Sequence, residues 1–484
     1  MVGLPDNAVK ESQQRIDTAL KQNGYKIPGK KIVINMSPAD IRKEGTAYDL
    51  NLAIGILIAS EQIKGVEKVG DYYIMGELSL DGRILPIRGA LPIAIEARKR
   101  GMKGIIVPAD NAHEAAIVSD IEVLQAENIR EVIDFFDKGK ALKQIKVNTR
   151  EEFQKSLCNY EFDFADVKGQ NSAKEAIKVA VAGGHNILMI GTPGSGKTML
   201  ARRIPSILPP LTVEEALEVS RIHSVAGEAK CGATFVTRRP FRAPHHTVSA
   251  IGLLGGGAHS VPGEVSLAHR GVLFLDEFAE FPRHALEVLR QPLEDGHVVV
   301  SRAAAAYDYP SKFMLVAAMN PCPCGHRNDP THDCTCRQSA ILKYQSRVSG
   351  PILDRIDIQI EVPPVAVKDL PTMEPGEPSA EIRKRVMKAR ALQAERYRDM
   401  PGVHTNADVR SRDLVRVCRL SERERDDLVR LIERLNVSAR AYDKILRVAR
   451  TLADIKGHEG VGMEEIANAI AFRKLDDGVK SFWL

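Results

Sequence analysis

The chain has 484 residues, of which 44% are hydrophobic and 27% are charged, and its formal net charge is +5. A chain of this length is too long to fold around one compact core, so we expect two or three domains. The composition is typical of an ordinary soluble globular protein. The longest apolar run, "LNLAIGILIA", is too short to cross a bilayer, and the start, "MVGLPDNAVKESQQR", lacks the apolar stretch of a signal peptide. We therefore expect a cytoplasmic protein with no membrane partner.

The seven cysteines and the small net charge limit the kinds of partner. An odd number of cysteines in a long chain without a secretion signal predicts a reducing compartment, where clustered thiols bind metal more often than they form disulfides. The small positive charge permits a nucleic-acid partner without requiring one, because a local basic face matters more than the total.

The first region, residues 1–140, alternates short apolar runs with helical patterns. The runs "KKIVINMS", "DYYIMGELSL" and "KGIIVP" predict strands, "LPIAIEARKRG" predicts a helix that ends at Gly101, and "LDGR" predicts a hairpin. Residues 141–160 are charged and irregular, which is typical of a linker.

Two further regions follow the linker. Across residues 161–365, strands alternate with helices, which predicts a mainly parallel sheet in an α/β layer. Its clearest strands are "HNILMI", "GVLFLDE" and "FMLVAAMN", whose continuous apolar character suits burial on both faces. After a proline-rich join, residues 366–484 have helical patterns.

The strongest local signal is "GTPGSGKT", which has the G-x-x-x-x-G-K-[ST] spacing and lies between an apolar strand and the helix "MLARRIPSIL". Its residues are Gly191, Thr192, Pro193, Gly194, Ser195, Gly196, Lys197 and Thr198. The glycines let backbone N–H groups surround phosphate oxygens at a helix N-terminus, Lys197 reaches the β/γ-phosphates, and the Thr198 hydroxyl ligates Mg²⁺. The alternative is a glycine-rich turn that matches by chance. We predict a site for ATP and Mg²⁺.

Two carboxylates and an amide end the strands that follow. Asp276 and Glu277 end "GVLFLDE", where Asp276 would support Mg²⁺ and Glu277 would activate the attacking water. Asn320 ends the next buried strand, and its amide would hold the water or the γ-phosphate from the other side. Without the phosphate loop, these residues would be an ordinary acidic strand end and an ordinary turn asparagine.

Two arginines complete the predicted site. Arg355, in "GPILDRIDIQIEV", lies between two acids, so a structural ion pair is the alternative to a catalytic role. Arg440 lies in the first turn of a predicted helix, where a cation is unfavourable unless an anion such as a bound nucleotide faces it.

The ordered set "GTPGSGKT", "GVLFLDE", "AAMNPCPCG", "GPILDRID" and "SARAYDKILRVARTLAD" resembles the ComM/YifB family of magnesium-chelatase-like AAA+ ATPases over essentially the whole chain. The resemblance implies Walker A at residues 191–198, Walker B at Asp276 and Glu277, sensor 1 at Asn320, a trans-acting arginine finger at Arg355 and sensor 2 at Arg440. It also implies a P-loop NTPase core with a helical lid and a homo-oligomeric ring, hexameric in related enzymes. Because a finger supplied in trans contributes about 10³–10⁵ in rate, the monomer should hydrolyse ATP poorly.

Residues 1–140 resemble the α+β, ribosomal-protein-S5-like fold of Lon-type proteolytic domains, most clearly in "GELSLDGRILPIRGALPIAIEARKRGMKGIIVP". Lon-type proteases need a serine nucleophile and a lysine base, but the matching positions carry Ala47 and Leu91 or Ile93. We therefore expect a proteolytically inactive docking or ring-stabilising domain. Family members carry more residues before "VGLPD", so we also expect this domain to be N-terminally incomplete.

Family members are associated with DNA branch migration in natural transformation, which implies forked or branched DNA as the partner. Two basic segments, "TRRPFRAPHHT" and the predicted hairpin "VVVSRAAAAYDYPSKF", could grip phosphates in the pore of a ring. Their basic residues are Arg238, Arg239, Arg242, His245, His246, Arg302 and Lys312. The alternative is that they solvate the surface or contact the adjacent subunit, since no aromatic stacking platform accompanies them.

Two other function classes remain open. A chaperone-like ATPase subunit of a metal-chelatase-type complex would ignore DNA and respond to a large partner protein. An ATP-dependent protease is disfavoured by Ala47.

Four of the seven cysteines, Cys322, Cys324, Cys334 and Cys336, form C-x-C, nine residues and C-x-C. Four thiolates could bind Zn²⁺ tetrahedrally and stiffen the loop after Asn320, with His326 and His332 as substitute ligands. The spacing is tighter than the usual C-x₂-C, and the alternatives are four reduced thiols or a labile redox pair.

Overall fold

The structure is a computed structural model of the chain. It describes residues 2–3, 5–36, 43, 45–64, 66–148, 160–228, 236–257, 260–301, 306–329, 332–365, 372–435 and 439–473. Arg302 and residues 149–159 of the predicted linker lie outside these ranges. None of the helices within them has the length and apolar character needed to cross a membrane.

The N-terminal region is a mixed α/β unit. Its helices are α1 (Asn7–Gln22), α2 (Asp49–Ala59), α3 (Ala90–Lys99), α4 (Ala109–Ala115) and α5 (Ile129–Lys138). Its strands are β1 (Tyr72–Ile74), β2 (Glu77–Leu78), β3 (Ile84–Leu85), β4 (Gly104–Pro108), β5 (Glu122–Ala126) and β6 (Lys143–Gln144). The sheet order is β1-β4-β5-β6, in which β6 alone runs antiparallel to its neighbour.

Most of the predicted N-terminal elements are present, with two differences. The hairpin β2–β3 and the helix that ends before Gly101 lie where the sequence predicts them. Strand β6 lies inside the predicted linker 141–160 and extends the sheet of this region into it. The prediction of a strand at "KKIVINMS" is wrong for its described residues, which form only one isolated bridge, between Asn35 and Val2.

The second region is an α/β core. Its helices are α6 (Asn171–Gly183), α7 (Lys197–Ile207), α8 (Val213–Ala226), α9 (Ala250–Leu254), α10 (Glu264–Leu267), α11 (Arg283–Glu287), α12 (Arg290–Asp295), α13 (Gln338–Gln345) and α14 (Gly350–Leu353). Its strands are β7 (Ile187–Ile190), β8 (Phe241–Arg242), β9 (Gly255–Gly256), β10 (Val261–Pro262), β11 (Val272–Leu275), β12 (His297–Ser301), β13 (Ala306–Pro310), β14 (Met314–Met319) and β15 (Ile358–Glu361).

The five-stranded sheet of this core is parallel throughout, in the order β15-β7-β14-β11-β8. Strands β7, β11 and β14 are fully buried, as their continuous apolar sequences predict. The register pairs Met319 with Ile190 and Leu275 with Ala317. The carboxyl ends of these three strands therefore meet at one edge, which is where α/β sheets bind ligands. The predicted α/β class is confirmed.

The last region is helical and packs on the core. Its helices are α15 (Ser379–Arg396), α16 (Ser411–Cys418), α17 (Glu422–Leu435), α18 (Ala439–Lys456) and α19 (Met463–Ala471). Apolar residues of α15 and α18 belong to the same buried cluster as those of β7 and α6. The N-terminal region contacts the core through α8, since Gly89 N–H donates to Ser224 O at 3.2 Å and Leu217 packs on the N-terminal apolar cluster.

A buried ionic cluster holds the helical region together around Asp454. Its carboxylate, fully buried, accepts hydrogen bonds from Arg396, Arg450 and Asn406. The Arg450 side chain is itself only 1% exposed, so its charge is neutralised inside the protein. Removing one partner of such a buried pair leaves an uncompensated charge.

We predict that Asp454→Ala destabilises the helical region by about 3–5 kcal/mol, because two guanidinium groups lose their buried counter-ion. Denaturant unfolding followed by far-UV circular dichroism measures this. Glu464→Ala is the control, since this carboxylate is 73% exposed and its loss should change stability by less than about 0.5 kcal/mol. Similar stability in the two variants would contradict the assigned role of the cluster.

Candidate nucleotide-binding site

The predicted phosphate loop connects strand β7 to the N-terminus of helix α7. Gly194 and Gly196 have φ values of +76° and +91°, a left-handed conformation that favours glycine and turns the backbone N–H groups inward. Gly191 is also required, because a Cβ there would lie 2.3 Å from the Val362 carbonyl oxygen. This loop at the N-terminus of an eleven-residue helix has the form of a phosphate cradle.

Lys197 extends along this loop. Its Nζ donates to the carbonyl oxygens of Gly191 at 2.7 Å and Thr192 at 2.9 Å, and it lies 3.3 Å from Asn320 Oδ1. Burial penalises the charged amine and lowers the pKa of Lys197 to about 8. A bound phosphate would stabilise the protonated form, so the loop holds a cation where phosphate charge compensates its burial. Asn320, predicted from its position at a strand end, is brought directly to this lysine.

The proposed magnesium ligands are also in contact. Thr198 Oγ1 donates to Asp276 Oδ2 at 2.6 Å, although 78 positions separate the two residues. A hydroxyl and a carboxylate oxygen at this distance fit a hard cation that prefers oxygen ligands and keeps several waters. ATP and Mg²⁺ therefore fit the residues present: Lys197 and the loop amides would hold phosphate, and Thr198 and Asp276 would hold the ion.

Glu277 follows Asp276 in a left-handed conformation, with φ of +52°. Its backbone N–H donates to Asp276 Oδ1 at 2.9 Å, and its side chain, 57% exposed, pairs with His246 Nδ1 at 2.9 Å. Sequence reasoning placed His246 among possible DNA contacts and missed this pair. The pair forms because β8 lies parallel to β11, which carries the residues after both strands to the same edge, and no local sequence pattern indicates this pairing.

The two predicted arginines do not lie at the phosphate loop of their own chain. Arg355 precedes β15, and β15 runs parallel to β7, so Arg355 is at the amino edge of the sheet while the loop is at the carboxyl edge. Its guanidinium pairs with Glu294 and donates to Pro351 O, and its buried Nε has no hydrogen-bond partner among the described residues. Arg440 donates to Asp354 Oδ2 at 2.9 Å, and its side chain is 76% exposed. Arg440 thus pairs with a carboxylate of its own chain, and its role toward a bound nucleotide stays a prediction.

Several of the basic residues predicted to grip DNA are occupied by internal contacts. Arg239 donates to Pro209 O at 2.5 Å and pairs with Glu215, and Arg242 pairs with Glu264 and Glu228. Arg239 and Arg242 are therefore engaged within the chain, an outcome that neither DNA contact nor the alternative of surface solvation or subunit contact predicts.

The predicted hairpin is present as β12 and β13, paired antiparallel from His297 with Pro310 to Ser301 with Ala306. Lys312, just after it, is exposed. The hairpin also carries an aromatic residue that sequence reasoning missed, since Tyr307 is 45% exposed. An exposed aromatic ring on a hairpin can stack with a nucleic-acid base.

The four cysteine sulfurs converge. Cys322 Sγ lies 3.4 Å from Cys324 Sγ and 3.7 Å from Cys334 Sγ, and Cys324 Sγ lies 3.6 Å from Cys334 Sγ. Cys336 completes the set, with all four sulfurs within 4.8 Å of one another. Tetrahedral Zn–S bonds of about 2.3 Å place sulfurs about 3.8 Å apart, whereas a disulfide needs about 2.05 Å. The donor set therefore fits Zn²⁺. His326 and His332 are not substitutes in this set, because they converge elsewhere on the loop.

The cysteine loop contacts the phosphate loop. A Cβ added to Gly325 would lie 2.6 Å from both Cδ and Cγ of Pro193, and Gly325 itself has φ of +84°. Only glycine fits where the two loops meet, and the residue stands one position after Cys324.

Comparison with known proteins gives three family matches that cover most of the chain. The family described as Magnesium chelatase, subunit ChlI, matches residues 163–370, Subunit ChlI of Mg-chelatase matches residues 1–111, and Magnesium chelatase, subunit ChlI C-terminal, matches residues 376–473. Competence protein ComM of Haemophilus influenzae is 40% identical over 98% of this chain and 92% of its own length. The uncharacterised protein YifB of Escherichia coli is 41% identical over 98% of this chain and 91% of its own. The magnesium-chelatase 38 kDa subunit of Rhodobacter capsulatus is 26% identical over 33% of this chain.

We predict that Gly325→Ala weakens ATP binding roughly tenfold, because the added methyl group overpacks the contact with Pro193 and displaces the phosphate loop. Gly402→Ala is a matched control, since Gly402 has φ of +81° with nothing within 4 Å of an added Cβ. It adds the same backbone strain without the clash. Titration with a fluorescent ATP analogue compares the two, and equal affinities would show that the contact does not bear on the site.

Proposed function

Because the chain belongs to the ComM/YifB family of magnesium-chelatase-like AAA+ proteins, we propose that it is an ATP-hydrolysing ring motor that remodels forked or branched DNA. In this proposal Lys197 and the loop hold ATP, and Thr198 and Asp276 hold Mg²⁺. Glu277 activates the attacking water, and Asn320 positions it. The relative named as a competence protein supports a role in DNA uptake or recombination. We place the protein in the cytoplasm, where its clustered thiols stay available to metal.

The position of Arg355 is the observation that supports a ring of several copies. Four residues of β15 separate it from the edge that holds the phosphate loop, a span of about 13 Å at roughly 3.3 Å per residue. In our proposal its guanidinium therefore leaves Glu294 and binds the ATP phosphate held by a neighbouring copy. Asp354 holds Arg440 beside Arg355, so Arg440 would lie at the same interface between copies. A hexamer is the ring size of related enzymes and is our proposal here.

The hairpin β12–β13 supports DNA as the partner. It offers Tyr307 for stacking and is followed by Lys312 for phosphate contact. The competing function is a motor that remodels a protein in a metal-chelatase-type complex, and the chelatase family matches support it. This function predicts that a partner protein, and not DNA, stimulates ATP hydrolysis.

We also propose that Cys322, Cys324, Cys334 and Cys336 hold a structural Zn²⁺. Burial raises the pKa of Cys322 and Cys336, whereas at Cys324 hydrogen bonds from the His326 N–H and Cys336 outweigh burial and lower the pKa to about 6. A thiolate is the form of cysteine that binds metal. Bound zinc would fix the loop whose Gly325 touches the phosphate loop.

We predict that Arg355→Ala lowers the turnover number for ATP about 10³-fold or more while ATP still binds, because the interface between copies loses the cation that contacts the phosphate. Lys197→Ala should abolish binding in its own chain but leave its arginine intact. Mixing the two inactive variants should then restore activity, up to about a quarter of wild type for random assembly. Arg416→Ala, with a 71% exposed side chain, is the control. Two variants that assemble together but stay inactive would contradict the shared site.

We predict that forked DNA or a Holliday junction stimulates ATP hydrolysis, and that Tyr307→Ala weakens DNA binding roughly tenfold through lost stacking. Basal ATPase should not change. Val299→Ala is the matched control, because Val299 lies on the same hairpin and is also 45% exposed. Turnover that ignores DNA but rises with a partner protein would favour the chelatase-type motor.

A further inference from the structure

The tip of the cysteine loop holds a second group of metal-binding side chains. His326 Nδ1 lies 2.9 Å and His332 Nδ1 lies 3.5 Å from the same carboxylate oxygen, Asp329 Oδ2. The two imidazole rings are 4.9 Å apart, and the three ligand atoms all lie within 4.8 Å of one another. Two imidazoles and a carboxylate thus converge at a point outside the sulfur quartet.

These distances fit a bound transition metal. Zinc–nitrogen and zinc–oxygen bonds of about 2.0–2.2 Å place tetrahedral ligands about 3.3–3.5 Å apart. The separations of 2.9 Å and 3.5 Å span that value, so small ring rotations would seat an ion. The Asp329 side chain is 5% exposed whereas His332 is 67% exposed. The carboxylate would therefore supply a buried negative charge, and the fourth coordination position would face solvent.

The sequence nests this group inside the first one. The order of ligands is C-x-C-x-H-x₂-D-x₂-H-x-C-x-C, symmetrical about Asp329. Two turns shape the tip, with Gly325 N–H donating to Cys322 O at 3.0 Å and Asp329 N–H donating to His326 O at 3.1 Å. Closing the sulfur quartet brings the two ends of the tip together and removes most of the loop-closure entropy that a tip metal would otherwise have to overcome.

We propose that the loop 322–336 binds two transition-metal ions, one at the cysteine base and a second, Zn²⁺-type divalent ion at a tip site formed by His326, Asp329 and His332. The tip site fills only after the base site has closed the loop. This inference rests on the cysteine zinc site proposed above but not on ATP hydrolysis or DNA binding. Three protein ligands leave one position for water, as in metal sites that exchange ligands.

The location gives the tip site a consequence for nucleotide binding. Gly325, which packs on Pro193 of the phosphate loop, stands between the last ligand of the first C-x-C pair and the first ligand of the tip. An ion that fixes His326 therefore fixes the residue next to the contact. Filling the tip should therefore tighten ATP binding.

The test counts bound metal on the full chain, kept reduced, after Zn²⁺ loading and gel filtration. Wild type should retain about two equivalents, and His326→Ala with His332→Ala should retain about one. The control pair, His113→Ala with His404→Ala, removes two exposed histidines elsewhere and should retain about two. In the Co²⁺-loaded protein, the tip variant should keep the thiolate charge-transfer band, which reports the base alone.

Each result decides one site. About one equivalent in wild type, or an equal count in wild type and the tip variant, would overturn the tip site. Cys322→Ser with Cys336→Ser should lose both ions at the Zn²⁺ concentration that fills wild type. If this variant instead keeps one ion and loses it when the tip histidines are removed, the ordered filling is wrong although the tip site exists. If it keeps both, the cysteine zinc site fails.

Discussion

The parallel register of the core sheet is the constraint on which the rest of the structure depends. Because β7, β14 and β11 run in one direction, Lys197, Asn320 and Asp276 meet at a single edge although they are far apart in sequence. The same register sends Arg355 to the opposite edge. In the function proposed above, one chain therefore carries both halves of the catalytic site at opposite edges of its sheet. The proposed assembly of copies, and the proposed dependence of hydrolysis on that assembly, rest on this polarity.

The last, helical region also contacts the edge of the sheet that carries Arg355. Arg440 is the second residue of α18, and its partner Asp354 directly precedes Arg355. Helix α18 is thus tied to the residue beside the proposed arginine finger. His185, buried in the core, strengthens this tie by bonding Thr451 of α18 at 2.8 Å and Asp357 at 3.3 Å. In the proposed ring, movement of α18 would therefore move Arg355 as well, and this would couple nucleotide binding in one copy to the site of its neighbour.

The sequence predicted most of this core, and its failures have physical causes. The phosphate loop, Asp276 and Asn320 were predictable because each depends on a local pattern: a glycine spacing or a polar residue at the end of a buried strand. The His246–Glu277 pair was not, because it depends on the pairing of β8 with β11, which no local pattern encodes. The "KKIVINMS" error has a similar origin, since an apolar run becomes a strand only where a neighbouring strand is available to pair with it.

An indirect series of contacts connects the hairpin to Glu277 and supports a way in which the proposed DNA-binding element could influence hydrolysis. Tyr309, on the hairpin, donates to Ser260 O at 2.7 Å, next to the β9–β10 pair. From there the chain leads back through α9 to His246, which holds the Glu277 carboxylate. Val248 and Leu254, which follow His246 in the chain, pack on the same apolar cluster as Val300 of the hairpin. A displacement of the hairpin would therefore act on His246, the partner of the residue proposed to activate water. In the proposed function, the link between DNA binding and ATP hydrolysis thus runs through contacts within one chain, whereas completion of the catalytic site requires two chains.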